Sequence, residues 1–467
     1  MTLLAKYHVP GLVVEDHAIE VPLDWHGRDP MDVVRAGFDE TGDDGDSLGL
    51  FYRVLCAPEH VHDDLPLLVF LQGGPGGQCP RPLGPDDDGW IAEAIRHFRV
   101  ILPDQRGTGR SSRVEPSSIA GMNARQAADY LKRFLADSII RDFEYLRLTE
   151  FRGQRWVSLG QSYGGFLTLT YLSLFPRALA ASFTTGGIPH VPASAAEVYA
   201  HTFPRMIRKT QQYYERYPQD RARVSAVADL LSGGEVRLPN GDPFSVRRLQ
   251  MLGSDFGMKP SFERLYWLID QAFVDGAFGI GDVGEPSGET RGPVNLSSGF
   301  AMDVLARTAS YGRPLYWPLQ EFIYADGELE KPIRWAAWSE LQRHPEFAVD
   351  ARPLMFTGEA ALPWMFEEDS SLVPFRPAVD VLMQDTHFGR IYDADQLARN
   401  EVPLQAAVYF DDMYVDSGMQ LDTLSRIGNA HAWVTNEFEH DGVHHGTTVF
   451  RHLYEEALHR GDLDSLL

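Results

Sequence analysis

Short, continuous apolar runs alternate with longer amphipathic stretches between residues 65 and 188. The runs Leu65–Leu71, Val100–Pro103, Trp156–Leu159 and Leu179–Thr185 have the length and composition of strands that are buried on both faces. Between the second and third runs, residues 123–150 carry apolar side chains at every third or fourth position, which predicts helix. Such alternation is typical of a parallel sheet covered by helices on both faces.

The alternation stops near residue 189 and returns near residue 375. Further strands are predicted at Leu12–Val14, Leu48–Leu55, Leu404–Phe410 and Ala432–Phe438. The intervening region is rich in helical pieces and aromatic residues and is interpreted as an inserted, mainly helical domain. The sequence therefore predicts an α/β core formed by residues 1–188 and 375–467, with a helical domain at 189–374.

The pentapeptide Gly160-Gln-Ser162-Tyr-Gly164 matches the pattern G-x-S-x-G. It stands between a predicted buried strand and a predicted helix, which is the context of a nucleophile elbow. Small residues on either side allow a sharp strand-to-helix turn that would project the Ser162 hydroxyl above the sheet edge. The alternative is a glycine-rich turn that carries a solvated serine. The context favours Ser162 as a nucleophile.

A serine hydroxyl is a weak nucleophile, so it needs a base that is oriented by an acidic group. In an elbow-containing α/β fold these groups follow in the chain order Ser, Asp or Glu, His. Asp411 and Asp412 end the strand Leu404–Phe410, at the sheet edge where such partners lie. One of them would be a solvated turn residue, and this pattern leaves both as candidates.

Four histidines near the end of the chain compete for the role of the base. His440 follows the strand Ala432–Phe438 by two residues, whereas His431 lies at the start of that strand, at the opposite end of the sheet. His444 and His445 lie further towards the closing helix. His440, His444 and His445 also resemble a metal cluster, but no carboxylate or cysteine completes an established ligand pattern. No metal is expected.

The glycine-rich segment Gln72-Gly-Gly-Pro-Gly-Gly77 follows the strand Leu65–Leu71. In this fold the corresponding loop supplies one backbone N–H to an oxyanion hole, and the residue after the nucleophile, here Tyr163, supplies the other. A phosphate-binding loop is the alternative. Neither G-x-G-x-x-G nor G-x-x-x-x-G-K-[ST] is present, so a nucleotide is not expected, and no cofactor is predicted.

Composition and net charge indicate which kinds of molecule the protein is expected to bind. The 467 residues are 44% hydrophobic and 23% charged, which is ordinary for a globular protein. The 42 Lys and Arg against 66 Asp and Glu give a net charge of −24, which disfavours nucleic acids and anionic membrane surfaces. The two cysteines, Cys56 and Cys79, form no disulfide framework, and no signal peptide or membrane span is evident. We expect a soluble, cytoplasmic protein.

Three motifs occur in a fixed order: Gln72–Gly77, Asp104-Gln-Arg-Gly-Thr-Gly-Arg-Ser111 and Gly160-Gln-Ser-Tyr-Gly-Gly165. Together they resemble the signatures of the proline iminopeptidase (prolyl aminopeptidase) family of serine peptidases, and segments downstream resemble its longer subgroup. The resemblance extends over roughly residues 45–455. It implies an α/β-hydrolase fold with an inserted helical cap.

The resemblance also implies roles for individual residues. Its aspartate and histidine fall on Asp412 and His440, so that Ser162, Asp412 and His440 would form the catalytic triad. The backbone N–H groups of Gly74 and Tyr163 would form the oxyanion hole. The implied reaction releases an N-terminal residue, preferably proline, from small peptides through an acyl-enzyme, without a cofactor.

An aminopeptidase also has to bind a free, charged α-amine, which needs carboxylate partners when it is buried. By resemblance, Glu321 and Glu359 are the candidates, and Glu340 is a further one. Ordinary salt bridges within the cap are the alternative role for these glutamates. An esterase or amidase of the same fold is an alternative function, because a fold does not determine its substrate. A non-catalytic receptor would be expected to lack a member of the triad.

Overall fold

The computed structural model describes residues 2–37, 46–274 and 295–466, and nine strands of this part lie in one sheet. The strands are β1 Thr2–Val9, β2 Leu12–Pro22, β3 Ser47–Cys56, β4 Leu67–Leu71, β5 Arg99–Pro103, β6 Trp156–Gln161, β7 Leu179–Thr185, β8 Leu404–Tyr409 and β9 Ala430–Thr435. Their order across the sheet is β1-β2-β3-β5-β4-β6-β7-β8-β9. The strands from β5 to β9 are parallel, and β1, β2 and β3 pair antiparallel at one side.

The helices of the described residues begin and end as follows: α1 Pro30–Ala36, α2 Trp90–Ala94, α3 Ala124–Lys132, α4 Ala136–Glu150, α5 Tyr163–Leu174, α6 Ala195–Arg216, α7 Asp220–Ser232, α8 Val246–Gln250, α9 Ser261–Asp270, α10 Ser298–Thr308, α11 Tyr316–Leu319, α12 Ala336–Leu341, α13 Met365–Glu368, α14 Arg376–Leu382, α15 Ala394–Ala398, α16 Ser417–Leu424 and α17 Thr448–Arg460. None of the helices described here is both long enough and apolar enough to cross a membrane.

The chain divides into two compact units. The sheet unit comprises Met1–Ala195, Arg313–Ile333 and Pro377–Leu467, and the helical unit comprises Ala196–Gly312 and Arg334–Arg376. The sequence places the whole of 189–374 in the helical domain, whereas residues 313–333 group with the sheet unit. Side-chain and backbone contacts explain this: the rings of Phe322 and Phe388 stack at 5.9 Å, and Asp326 accepts a hydrogen bond from the Ile391 amide at 2.8 Å.

The predicted α/β-hydrolase fold with a mainly helical insertion is confirmed. Strand β7 has the predicted bounds, and β4, β6 and β8 are buried along their whole length, as continuous apolar runs in a parallel sheet require. Strand β1 was not predicted, because residues 3–8 are exposed and lack the pattern of a core strand. The single helix predicted at 123–150 is two helices, which are separated at Arg133–Leu135.

A buried ion pair joins the Asp104–Ser111 motif to helix α4. Arg106 and Asp142 are both fully buried, and Nε and Nη2 of Arg106 donate to the two Asp142 oxygens at 2.7 and 2.5 Å. The remaining donors of Arg106 bind the carbonyl oxygens of Pro22, Leu23 and Arg133 at 2.8–2.9 Å. The guanidinium therefore ties the second strand, the motif and the α3–α4 junction together.

We expect Asp142→Ala to lower the free energy of unfolding by about 3–5 kcal/mol, because it leaves the Arg106 guanidinium buried without a counter-charge. Urea unfolding followed by circular dichroism measures this change. Asp129→Ala is the control, since it breaks the exposed Arg125–Asp129 pair and should cost no more than about 1 kcal/mol. Equal losses in the two variants would contradict the structural role of the buried pair.

Candidate active site

Ser162 lies in the sharp turn between β6 and α5. Its backbone angles are φ 56° and ψ −126°, in a region that residues other than glycine rarely adopt. The turn fits only because Gly164 lacks a side chain: a Cβ there would lie 1.8 Å from the Leu71 carbonyl oxygen at the end of β4. The Ser162 side chain is partly exposed. The geometry is that of a nucleophile elbow.

The glycine-rich loop after β4 lies against the turn that carries Ser162. A Cβ at Gly73 would lie 3.0 Å from the Ser162 Cβ, so only a residue without a side chain lets the loop backbone approach the serine this closely. Tyr163 is the first residue of α5, and its backbone N–H therefore has no acceptor within the helix. The structure thus brings the backbone of Gly73 and the first residue of α5 next to the Ser162 turn, and the oxyanion-hole role of Gly74 and Tyr163 stays a prediction. Burial raises the pKa of the Tyr163 phenol, so this ring adds no negative charge there.

Residues of the Asp104–Ser111 motif hold the glycine-rich loop in place. The sequence did not indicate this contact. Gln105 is 1% exposed, and its Nε2 donates to the Gln72 carbonyl oxygen at 2.6 Å. The preceding Asp104 carboxylate is fully buried and binds the Arg81 guanidinium at 2.5 Å and the Cys79 amide at 3.1 Å. A run of polar residues directly after the buried strand β5 was the available signal, since buried polar groups are held by hydrogen bonds.

Asp412 and His440 are hydrogen-bonded to each other. Asp412 is fully buried, and its Oδ2 lies 2.8 Å from Nδ1 of His440, which is 3% exposed. The second oxygen, Oδ1, accepts the backbone N–H groups of Tyr414 and Val415 at 2.8 and 3.0 Å. These bonds fix the carboxylate in one orientation. A proton on Nδ1 leaves Nε2 of His440 as the basic nitrogen, which is the tautomer that general-base catalysis requires.

The two neighbouring aspartates differ in their surroundings. Asp411 is partly exposed at the end of β8, whereas Asp412 is turned into the protein against His440. Both residues lie in the turn that follows β8, where the Asp412 amide donates to the Tyr409 carbonyl oxygen at 3.2 Å. The choice of Asp412 over Asp411 therefore agrees with the geometry, and its catalytic role stays a prediction.

The segment Gly186–Gly187, which follows β7, contacts both the serine turn and the aspartate. A Cβ at Gly187 would lie 2.3 Å from the Ser162 carbonyl oxygen, and one at Gly186 would lie 3.2 Å from Oδ2 of Asp412. Strands β6, β7 and β8 are parallel neighbours, so Ser162, this diglycine and Asp412 emerge at the same edge of the sheet. That edge is the candidate active site.

The competing histidines have other partners or positions. His431 lies in the first part of β9, paired with Gln405. His444 is hydrogen-bonded through Nδ1 to Asp88, and Nε2 of His445 lies 2.8 Å from Asp441. Within the described ranges no three His, Cys, Asp or Glu side chains gather in a way that could hold a metal ion.

The three candidate glutamates for amine binding lie in different units. Glu321 is fully buried in the sheet unit, just before the 3₁₀ turn Phe322–Tyr324. Glu359 is partly buried in the helical unit. Glu340, also in the helical unit, binds Arg343 at 3.0 Å and His344 at 3.1 Å. These contacts do not rank the three glutamates, so the choice of Glu321 and Glu359 still rests on the resemblance.

Comparison with known proteins identifies the relatives of this chain. The profile of the α/β-hydrolase fold family matches residues 66–262. A proline iminopeptidase of Aeromonas sobria is 39% identical over 438 residues, which cover 94% of each chain. The proline iminopeptidase aneH of Aspergillus aculeatus is 30% identical over 410 residues, which cover 86% of this chain and 87% of that protein.

Proposed function

Since the chain belongs to the proline iminopeptidase family, within the α/β-hydrolases, we propose that it releases the N-terminal residue, preferably proline, from small peptides with a free N-terminus. The observation that carries the proposal is that the chain is 39% identical to a proline iminopeptidase over 94% of its length. The elbow at Ser162 and the bond between His440 and Asp412 support a serine hydrolase. The proposed cytoplasmic location stays a prediction.

In the proposed reaction, Oγ of Ser162 attacks the carbonyl carbon of the first peptide bond. His440 takes the hydroxyl proton on Nε2, and the N–H groups of Gly74 and Tyr163 bind the oxyanion of the tetrahedral intermediate. The C–N bond then breaks as His440 returns the proton to the leaving amine. Water, deprotonated by the same imidazole, hydrolyses the acyl-enzyme and releases the free amino acid.

Asp412 acts through His440 in this proposal. Its carboxylate holds the proton on Nδ1 and stabilises the imidazolium that forms when Nε2 takes the serine proton. The backbone donors on Oδ1, from Tyr414 and Val415, support this role because they keep the carboxylate oriented towards His440. No cofactor is required, because proton transfer and a serine nucleophile account for each step.

Recognition of the α-amine is assigned to Glu321, with Glu359 as a second candidate. The assignment rests on the resemblance, and Glu321 is fully buried. A buried carboxylate stabilises a buried ammonium group such as that of a protonated N-terminal proline.

Comparing substrates tests the proposed function. We expect a free prolyl anilide to be hydrolysed at least about tenfold faster in kcat/KM than its N-blocked form, because a charged amine paired with a buried carboxylate contributes well over 1 kcal/mol. A simple activated ester is the third substrate. Equal rates on blocked and free anilides, or a preference for the ester over every free-amine substrate, would instead indicate the esterase or amidase alternative.

We expect Glu321→Gln to raise KM for the free prolyl anilide by about tenfold and to lower kcat as well, because the scissile bond is no longer held at Ser162. Hydrolysis of an activated ester that lacks the amine should change little. Glu359→Gln is measured in parallel, and Glu328→Gln is the control because Glu328 is an exposed carboxylate of the same sheet-unit segment. A parallel loss on both substrates would contradict a role in amine binding. Unchanged kinetics in both Glu321→Gln and Glu359→Gln would move this role to Glu340.

A further inference from the structure

The helical unit contains a cavity of about 320 Å³, and Ser162, Asp412 and His440 are not among its lining residues. Five large apolar side chains line it: Trp338, Leu341, Phe347, Leu362 and Trp364. The volume lies at the lower end of the range for small-molecule sites, so it suits a ligand the size of one amino acid. This apolar wall would take the ligand's side chain.

Hydrogen bonds and ring contacts hold this wall in place. The Gln250 amide is buried, and its Nε2 donates to the carbonyl oxygens of Phe347 and Met355 at 2.9 and 3.0 Å. The His344 ring, which also lines the cavity, stacks on Phe203 with centroids 5.7 Å apart and an angle of 6° between planes. Because these contacts already hold the wall side chains in place, little conformational entropy is lost when a ligand binds, and this favours affinity.

Two exposed side chains of opposite charge line the same cavity. Arg247 comes from helix α8, and Asp350 follows the 3₁₀ turn Pro345–Phe347. Within the described residues neither takes part in an ion pair, although most of the arginines in this acidic protein do. The cavity therefore offers one cation and one anion to a ligand, together with an apolar wall.

We propose that this cavity binds a free α-amino acid with a large apolar side chain. The Arg247 guanidinium would take the α-carboxylate, Asp350 would take the α-ammonium, and the side chain would contact Trp338 and Trp364. An unprocessed peptide fits this arrangement less well, because its first residue has no free carboxylate. The inference rests on the cavity and not on the proposed function, although amino acids of this kind are what an aminopeptidase releases.

Isothermal titration of the full chain with L-leucine tests the proposal, alongside three analogues that each lack one feature. Leucinamide has no carboxylate, N-acetyl-leucine has no ammonium group, and glycine has no apolar side chain. We expect leucine to bind at least about threefold more tightly than any analogue, because each analogue lacks one of the three groups that the proposed contacts need. Failure of leucine to bind below about 10 mM would overturn the proposal.

Surface variants then locate the binding. Arg247→Gln should weaken leucine binding about threefold or more and leave leucinamide binding unchanged. Asp350→Asn should weaken leucine binding and leave N-acetyl-leucine binding unchanged. Arg208→Gln and Glu215→Gln are matched controls, since both residues are exposed in helix α6 of the same unit and outside the cavity. Equal affinities in Arg247→Gln and wild type would overturn the assignment, because leucine would then bind elsewhere.

A filling variant provides an independent check. Ala348 is exposed and lines the cavity, so Ala348→Phe should occupy it without removing a native contact, and leucine binding should be lost. Thermal unfolding verifies that this variant folds. Retained binding in a folded Ala348→Phe variant would overturn the proposal.

Ser162→Ala should bind leucine like the wild type, because Ser162 does not line the cavity. Loss of peptidase activity with unchanged leucine binding, or the reverse, distinguishes the two proposals.

Discussion

Ser162→Ala is expected to lower kcat on a free prolyl anilide by about 10⁵-fold or more, since without Oγ no acyl-enzyme forms and only transition-state binding by the remaining site persists. The fold should persist, because the hydroxyl is partly exposed and the backbone turn is set by its glycine neighbours. Steady-state rates on the purified variant, together with its thermal unfolding curve, measure both expectations.

Covalent labelling sharpens this test. A fluorophosphonate should add one equivalent to the wild type and none to Ser162→Ala, as read by intact mass. Ser158→Ala is the matched control: Ser158 lies in the same strand β6, and its buried hydroxyl bonds Ser182 at 2.9 Å. That variant should lose about 1 kcal/mol of stability but keep its activity and labelling. Activity above a trace in Ser162→Ala would exclude Ser162 as the nucleophile.

Asp412→Asn should cost about 10⁴ in kcat, as such a change does in the best-studied serine triad. The amide can still accept the N–H groups of Tyr414 and Val415 through its oxygen. Its nitrogen would then donate to Nδ1 of His440, so that the ring carries its proton on Nε2 and cannot take the proton of Ser162. The effect should appear in kcat more than in KM.

Asp411→Asn is the matched control for this prediction, because it removes the same charge one residue away. Asp411 is partly exposed, so we expect its substitution to change kcat by no more than about twofold. Equal losses, or the reverse order, would overturn the assignment.

Local pattern was enough to predict the elements around Ser162. Strand β6, the glycine pair around the serine and helix α5 are adjacent in sequence, so strand and helix periodicities and turn chemistry act within about twenty residues. The same is true of β7, whose predicted bounds match the structure, because a strand buried on both faces leaves a continuous apolar run. The serine and the sheet that carries it could thus be identified from sequence.

Contacts between distant segments decided the rest. Residue pattern alone did not separate Asp411 from Asp412, since both follow β8. Burial of one carboxylate against His440, 28 residues later, makes the difference. The same holds for residues 313–333, which join the sheet unit through contacts near residue 390, and for Gln105, whose side chain bonds the Gln72 carbonyl 33 residues earlier. Periodicity records only how each segment meets its nearest neighbours along the chain. Which buried polar groups pair, and which unit a segment joins, depends on chain folding that brings remote residues within bonding distance.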